Sequence, residues 1–156
     1  MTTTDDDRQT LEIARAQRAD LWHHLVALEH AIAHPLPGRV QEWAAGVHEA
    51  LVDLSATFER HCAIVEAPDG VFDQVLTAAP RLEGMVERLQ KEHIDIADAI
   101  TAELRAARDL GNSANVDQAV DSRQRLTDLI TALSRHRQGG ADMVYEAYAV
   151  DIGVGD

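Results

Sequence analysis

The sequence predicts an all-α protein that folds as an antiparallel, up-down-up-down four-helix bundle. Pro and Gly interrupt the chain at few places, and the segments between them are rich in Ala, Leu, Glu, Arg and Gln, which favour helix. Apolar residues recur in these segments at spacings of three and four, and no segment alternates apolar and polar residues over the length of a strand. At 156 residues, the chain is predicted to form a single domain.

Four long helices and one short helical segment are predicted between the breakers. The long helices cover about residues 9–34, 39–66, 81–109 and 117–149, and the short segment covers 71–79. Residues 1–8 are expected to form a flexible acidic tail and residues 151–156 a flexible C-terminal tail, so that the bundle spans 9–150. Connections of only a few residues favour antiparallel neighbours.

Each long helix is predicted from an apolar stripe that must pack against another surface. Taken helix by helix, the stripes are Leu21, Leu25, Leu28 and Ile32; Val47, Leu51, Leu54 and Phe58; Leu82, Leu89, Ile96 and Ile100; and Leu126, Leu129, Leu133 and Val144. The segments that end or separate the helices are Pro35-Leu-Pro-Gly38, Ala67-Pro-Asp-Gly70, Pro80 and Gly111-Asn-Ser113.

Composition and charge exclude several classes of function. The chain carries 14 Lys and Arg against 27 Asp and Glu, a formal charge of −13, so nucleic acid and anionic membrane surfaces would repel it. Its single cysteine, Cys62, cannot form an internal disulfide. No apolar run is long enough to span a bilayer, and the acidic start is unlike a signal peptide. We therefore expect a cytoplasmic protein.

Histidine is the unusual residue of this sequence. There are eight copies, against two each of Phe, Trp and Tyr. At about 100° per residue, one histidine in each long helix falls on or near the apolar stripe. These inward histidines are His24, His61, His93 and His136, whereas His23, His30 and His34 fall on the outer face and His48 at a stripe edge.

A shared metal ion would explain four inward histidines. For any single one of them, a role as an ordinary core residue is at least as good an explanation as metal binding. Together they favour a metal, because a small helical interior offers few polar partners and burying an unpaired polar group costs about 1–3 kcal/mol. The alternative is a metal-free bundle, an interaction module whose histidines form a pH-sensitive polar layer.

The predicted heights along the bundle agree for three of these histidines. Counted from one end, His24, His93 and His136 lie within about 6 Å of one another. His61 reaches the same level only if residues 71–79 continue the second helix beyond Ala67-Pro-Asp-Gly70. That continuation is therefore the alternative that restores a common level.

Carboxylates near the histidines are candidates for further ligands. Glu66 follows His61 by five residues and precedes the break at Pro68, where an unwound turn would let it reach the axis. It is the best candidate for an oxygen ligand, which iron usually takes. Glu92 lies at the stripe edge beside His93 and is a candidate acceptor for an imidazole N–H, as metal-bound histidines require.

These residues resemble a known family. One inward histidine in each of four helices, with a carboxylate after the second, is similar to the pattern of hemerythrin-like (HHE cation-binding) domains, here a divergent, actinobacterial-type member covering residues 9–149. The matching segments are Leu21-Trp-His-His-Leu25, His61-Cys-Ala-Ile-Val-Glu66, Glu92-His93 and His136-Arg-Gln-Gly-Gly140. The resemblance implies metal ligation by His24, His61, Glu66, His93 and His136.

The resemblance implies non-haem iron, but the chain departs from the family pattern. The family site is a di-iron centre with five histidines and two bridging carboxylates. Here Glu66 follows its histidine by five residues rather than four, and Ala97 and Ala141 stand where a further histidine and a bridging acid are expected. A remodelled di-iron site, a mononuclear site, a zinc site and an empty bundle are therefore all kept open.

A metal site with fewer protein ligands than the metal can bind leaves a coordination position open, and the expected function follows from this. We expect an iron protein that interacts with O2, peroxide or nitric oxide in a redox, sensing or storage role, and whether it is an enzyme is left open. The expected partner is a small diatomic or peroxide ligand, with neither nucleic acid nor membrane. A homodimer is also left open.

Overall fold

The computed structural model describes residues 5–148, and within that range the chain forms helices and no strand. Its elements in chain order are α1 (Asp5–Ile32), α2 (Val40–Glu66), α3 (Val71–Ala78), a 3-10 turn (Pro80–Leu82), α4 (Glu83–Ser113) and α5 (Val116–Tyr148). The prediction of an all-α protein with four long helices packed together is confirmed. No helix in this range offers an apolar stretch long enough to cross a bilayer.

The helix bounds differ from the prediction at the ends. α1 begins at Asp5, so residues 5–8 are helical rather than part of a flexible tail. Three aspartates occupy its first turn, where carboxylates interact favourably with the free N–H groups of the helix. α4 continues through Gly111 to Ser113 and stops at Ala114, whose φ of 51° is left-handed. The tails predicted over 1–4 and 151–156 lie outside the described residues.

The four long helices form one closed arrangement of neighbours. α1 packs against α2 and α5, and α4 packs against the same two helices. All the predicted stripe residues are buried except Ile32, which is half-buried. Burial of these side chains is the main favourable contribution to folding, at about 25 cal/mol per Å² of apolar surface.

The core divides into two hydrophobic clusters. The larger one includes Leu21, Leu54 and Phe58 and extends to the end of the bundle where α1 and α2 are joined. The smaller one surrounds α3 and includes Phe72 and Leu89. The histidine site described below lies between the two clusters, in contact with phenylalanines from both.

The short helix predicted over 71–79 is confirmed as α3, and the alternative in which it continues α2 is wrong. Ala67 has an extended ψ of 151°, as expected before Pro68, and Asp69 is left-handed with φ of 59°. Gly70 is required here, because a Cβ would lie 2.7 Å from the carbonyl oxygens of Ala67 and Ile64. The chain therefore turns sharply, and α3 packs across α1, α2 and α5.

Candidate metal centre

Three helices each bring one buried histidine to a common point. The rings come from α2 (His61), α4 (His93) and α5 (His136), and their side chains are 7%, 3% and 3% exposed. The Nε2 atom of His61 lies 3.2 Å from Nε2 of His93 and 3.3 Å from Nε2 of His136. One nitrogen from each ring lies within 4.8 Å of the other two.

These separations are suitable for one bound metal ion. Nitrogen atoms bound tetrahedrally to an ion at roughly 2.0–2.1 Å stand about 3.3–3.4 Å apart. The two Nε2 separations from His61 are close to this value. A hydrogen bond shared among neutral imidazoles also has this length, so the protonation of each ring decides what the cluster can bind.

Carboxylates fix the protonation of two of the rings. Oε1 of Glu66 lies 2.5 Å from Nδ1 of His93, and Oε2 of Glu92 lies 2.7 Å from Nδ1 of His136. An ionised carboxylate can only accept, so each Nδ1 donates and each Nε2 of the neutral ring keeps its lone pair. This carboxylate–histidine arrangement is the one that orients metal-binding imidazoles and raises their basicity.

His61 differs from the other two because its Nδ1 is buried and has no hydrogen-bond partner among the described residues. Burial, together with the neighbouring His93 and His136, lowers the pKa of His61 from 6.5 to about 3. Burial also lowers the pKa of His136, although the hydrogen bond to Glu92 opposes this shift. Near pH 7 both rings are therefore neutral, the form in which imidazole binds a metal.

Aromatic rings hold the histidines in place. The Phe58 ring centroid lies 5.8 Å from those of His61 and His93 and 6.2 Å from that of His136. On the other side, Phe72 of α3 stacks on His93 at 5.6 Å, with an interplanar angle of 21°. The rings are thus confined by packing, which fixes the direction of their Nε2 atoms.

A cavity of about 40 Å³ borders all three histidines. A buried water needs only about 10–15 Å³, so the cavity is large enough for a small molecule. Most of its walls are apolar, and its lining includes Ala14, Leu21, Val65, Phe72, Met143 and Val144. Gln17, Arg18 and Arg137 are the polar residues that line it besides the histidines.

Three of the predicted ligands come together, and two take other positions. His61, His93 and His136 form the cluster. Glu66 reaches it, but its Oε1 accepts the hydrogen bond from His93 instead of joining the three nitrogens. His24 is not part of the group; it is half-buried, and its ring lies edge-on to His23 at 5.2 Å. α1 instead contributes Leu21 and Gln17 to the cavity.

The expected role of Glu92 is also seen. It accepts a hydrogen bond from an imidazole N–H, but from His136 on α5 rather than from a ring on its own helix. The sequence reasoning missed Phe58 and Phe72 as ring supports. Phe58 precedes His61 by three residues on the same stripe, and that spacing was the available signal. The sequence carries no comparable signal for Phe72, because helical spacing relates residues within one helix and Phe72 lies on α3, which contributes none of the three rings.

Comparison of this chain with models of known protein families, with curated proteins and with solved structures gave no match. Three imidazole nitrogens converge, and a small cavity borders the rings. A metal bound by three protein nitrogens keeps a coordination position for water or another small molecule, as in catalytic zinc sites.

Proposed function

We propose that the protein is a hemerythrin-like bundle that binds one transition-metal ion through Nε2 of His61, His93 and His136. The observation that carries this proposal is the convergence of the three nitrogens, two of them on rings whose protons are held by carboxylates. Imidazole nitrogens suit iron, zinc, copper and nickel, and do not suit magnesium or calcium.

An up-down-up-down course of the helices is part of this proposal and is supported for α1 and α5 by two hydrogen bonds between them, one in the middle of α1 and one just beyond its end. Arg137 of α5 donates to the carbonyl of Arg18, and Arg123, earlier in α5, donates to that of His34, beyond the end of α1. Residues later in α5 thus meet residues earlier along the first helix, which is the pairing of antiparallel neighbours.

A mononuclear centre is proposed over a di-iron centre. Within residues 5–148, His61, His93 and His136 form the one group of three or more metal-binding side chains that is compact enough to hold an ion. The two carboxylates nearest to it, Glu66 and Glu92, are hydrogen-bonded to the outer nitrogens of the rings. A second ion would lack ligands of its own.

Iron and zinc are the two metals proposed, for different reasons. Iron follows from the family resemblance and would supply redox chemistry with O2, peroxide or nitric oxide at the open position. Zinc is favoured by a specific observation: three imidazoles without an oxygen ligand, at tetrahedral spacing, backed by carboxylates. In either case the bordering cavity receives the small molecule.

The proposal is tested by elemental analysis and thermal melts. The protein is purified aerobically, its metal content per chain is measured, and its melting temperature is compared with added Fe²⁺, Zn²⁺ or a chelator. One ion per chain and a raised melting temperature are expected, since a ligand bound only by the folded form stabilises it. Identical melting in all conditions, with no metal after loading, would contradict the metal site and favour an interaction module.

A further inference from the structure

The short helix α3 covers one side of the histidine centre. Phe72 stacks on the His93 ring with their centroids 5.6 Å apart, and Val71 and Phe72 form part of the cavity wall beside the three histidines. The three rings are almost completely buried. A hydrated cation can therefore reach their Nε2 atoms only when part of the protein moves.

Apolar contacts alone attach the side chains of α3 to the bundle. Its side-chain hydrogen bonds are local: Asp73 accepts from the N–H of Asp69, Gln74 donates to the carbonyl of Asp69, and Thr77 donates to the carbonyl of Asp73. Within residues 5–148, no side-chain hydrogen bond or ion pair joins α3 to another helix. The buried side chains of α3 are Val71, Phe72 and Val75.

Both ends of α3 are joined to the bundle through non-helical residues. Before it, the chain turns at Pro68 and at the left-handed Asp69, and after it Ala79 has φ of −145° and ψ of 78°. Segments with few buried side chains open locally at a lower cost than global unfolding, and the residues at their ends absorb the change in direction. Glu66, which holds the proton of His93, belongs to α2 and stays in place when α3 moves.

Charge favours cation entry at α3 over entry between α1 and α5. On the α1 and α5 side, the cavity is lined by Arg18 and Arg137, whose charges repel a cation. At the start of α3, the exposed residues include Glu66, Asp69 and Asp73. Carboxylates at an entrance raise the local concentration of cations.

From these observations we propose that α3 is a lid, which opens locally to admit a metal ion to the three histidines and then closes over them. The lid controls the rates at which the ion enters and leaves, and Phe72 is the residue that covers His93 in the closed form. This inference rests on the proposed metal site and adds the route by which that site is filled.

The test measures Co²⁺ uptake and release by visible absorption in the full-length chain, with release started by excess chelator. Val75→Ala loosens α3 at a fully buried position outside the cavity lining. It should speed both uptake and release by about tenfold, because truncation of a buried side chain makes opening easier by about 1.4 kcal/mol. The dissociation constant and the stoichiometry should be unchanged. Leu76→Ala, at a half-buried position of α3, should act in the same direction with a smaller effect.

The matched control is Val47→Ala, the same truncation at an equally buried position of α2 in the larger core cluster. Val47 lies fourteen residues before His61 on the same helix, about 21 Å away along the axis. This variant should leave both Co²⁺ rates unchanged.

Unchanged rates in Val75→Ala and Leu76→Ala, or an equal acceleration by Val47→Ala, would overturn the lid and leave the metal site standing. Hydrogen exchange of the metal-free protein gives an independent measurement. Amides of α3 should exchange before those of α2 and α4, and exchange of α3 only through global unfolding would also overturn the lid. Failure of the wild-type chain to bind Co²⁺ at all would instead contradict the metal site on which the inference rests.

Discussion

Two polar clusters contain buried side chains, and they are built differently. One consists of Glu103 with Ser122 and Arg125, and the other is the histidine cluster of His61, His93 and His136. In the first, Arg125 Nε donates to one carboxylate oxygen of Glu103 at 2.7 Å, and Ser122 Oγ donates to the other at 3.2 Å. Both oxygens of the buried acid are thus satisfied within the protein.

The histidine cluster leaves part of its hydrogen-bonding capacity unused. Three Nε2 atoms face one another, two of them on rings whose protons are on the far side, and Nδ1 of His61 has no partner in the described part of the chain. Without a metal, the three Nε2 atoms have only one another as hydrogen-bond partners, and His61 has one Nε2 proton to share between His93 and His136, whereas a cation would bind all three lone pairs. The completed cluster serves the fold, and the incomplete one supports the proposal of a bound metal.

The strongest test of the difference between the two clusters is the removal of one ring from the histidine cluster. His93→Ala should abolish stoichiometric Zn²⁺ or Fe²⁺ binding, because two imidazoles do not hold the ion. The stabilisation by metal, about 4 kcal/mol at a thousandfold excess over Kd, should disappear with it. Calorimetric titration and melts check this result. His24→Ala is the control, since that ring lies outside the cluster, and loss of binding there would contradict the assignment.

The pH dependence of stability offers a second test, on the metal-free protein. His61 titrates at 6.5 when unfolded and at about 3 when folded, so between these values the unfolded chain binds more protons. Stability should therefore be complete above pH 6.5 and fall as the pH drops toward 3, by about 1.4 kcal/mol per pH unit for this one group.

Urea unfolding at pH 7 and pH 5 in the presence of a chelator measures this slope. His61→Leu removes the titrating ring and should flatten the slope by the contribution of one proton. A wild-type protein as stable at pH 5 as at pH 7 would contradict a buried, neutral His61.

The carboxylates that hold the histidine rings allow a third test, with a smaller expected effect on metal binding. Glu66→Gln and Glu92→Gln should each weaken metal binding by about 10–100-fold, the usual effect of losing an outer-sphere partner of a metal-binding histidine. Glu87→Gln makes the same charge change at an exposed position of α4 and is the control. Equal metal affinity in all three variants would show that the carboxylates do not support the rings.

The smallest expected effect on metal binding, none at all, concerns the completed cluster. Arg125→Ala leaves Glu103 buried with only the Ser122 hydroxyl as partner. Since a buried acceptor loses a charged donor, stability should fall by about 1–3 kcal/mol. Metal stoichiometry should not change. Urea unfolding together with metal titration distinguishes the two roles, and a loss of metal binding here would remove the distinction between the clusters.

Much of the site was predictable from helical phase. His61, His93 and His136 each fall on a stripe whose members are buried, so the direction of these rings follows from spacing. His24 falls at the edge of its stripe, about 60° from Leu21, and that offset leaves it half-buried.

The level of each histidine ring along the bundle axis could not be predicted by counting residues from the helix ends. The turn at Pro68, Asp69 and Gly70 directs α3 across the bundle instead of along it. His61 therefore meets His93 although it lies only five residues before the end of α2. Which carboxylate reaches which ring depends on side-chain conformation between helices, and helix periodicity contains no such information.

The most direct test of the central claim is X-ray absorption spectroscopy at the metal edge of the protein loaded with one equivalent of Zn²⁺. Three imidazole rings at roughly 2.0–2.1 Å, with a further light atom completing the shell, are the predicted result. A shell without imidazole scattering, or one that contains sulfur from Cys62, would contradict the three-histidine centre.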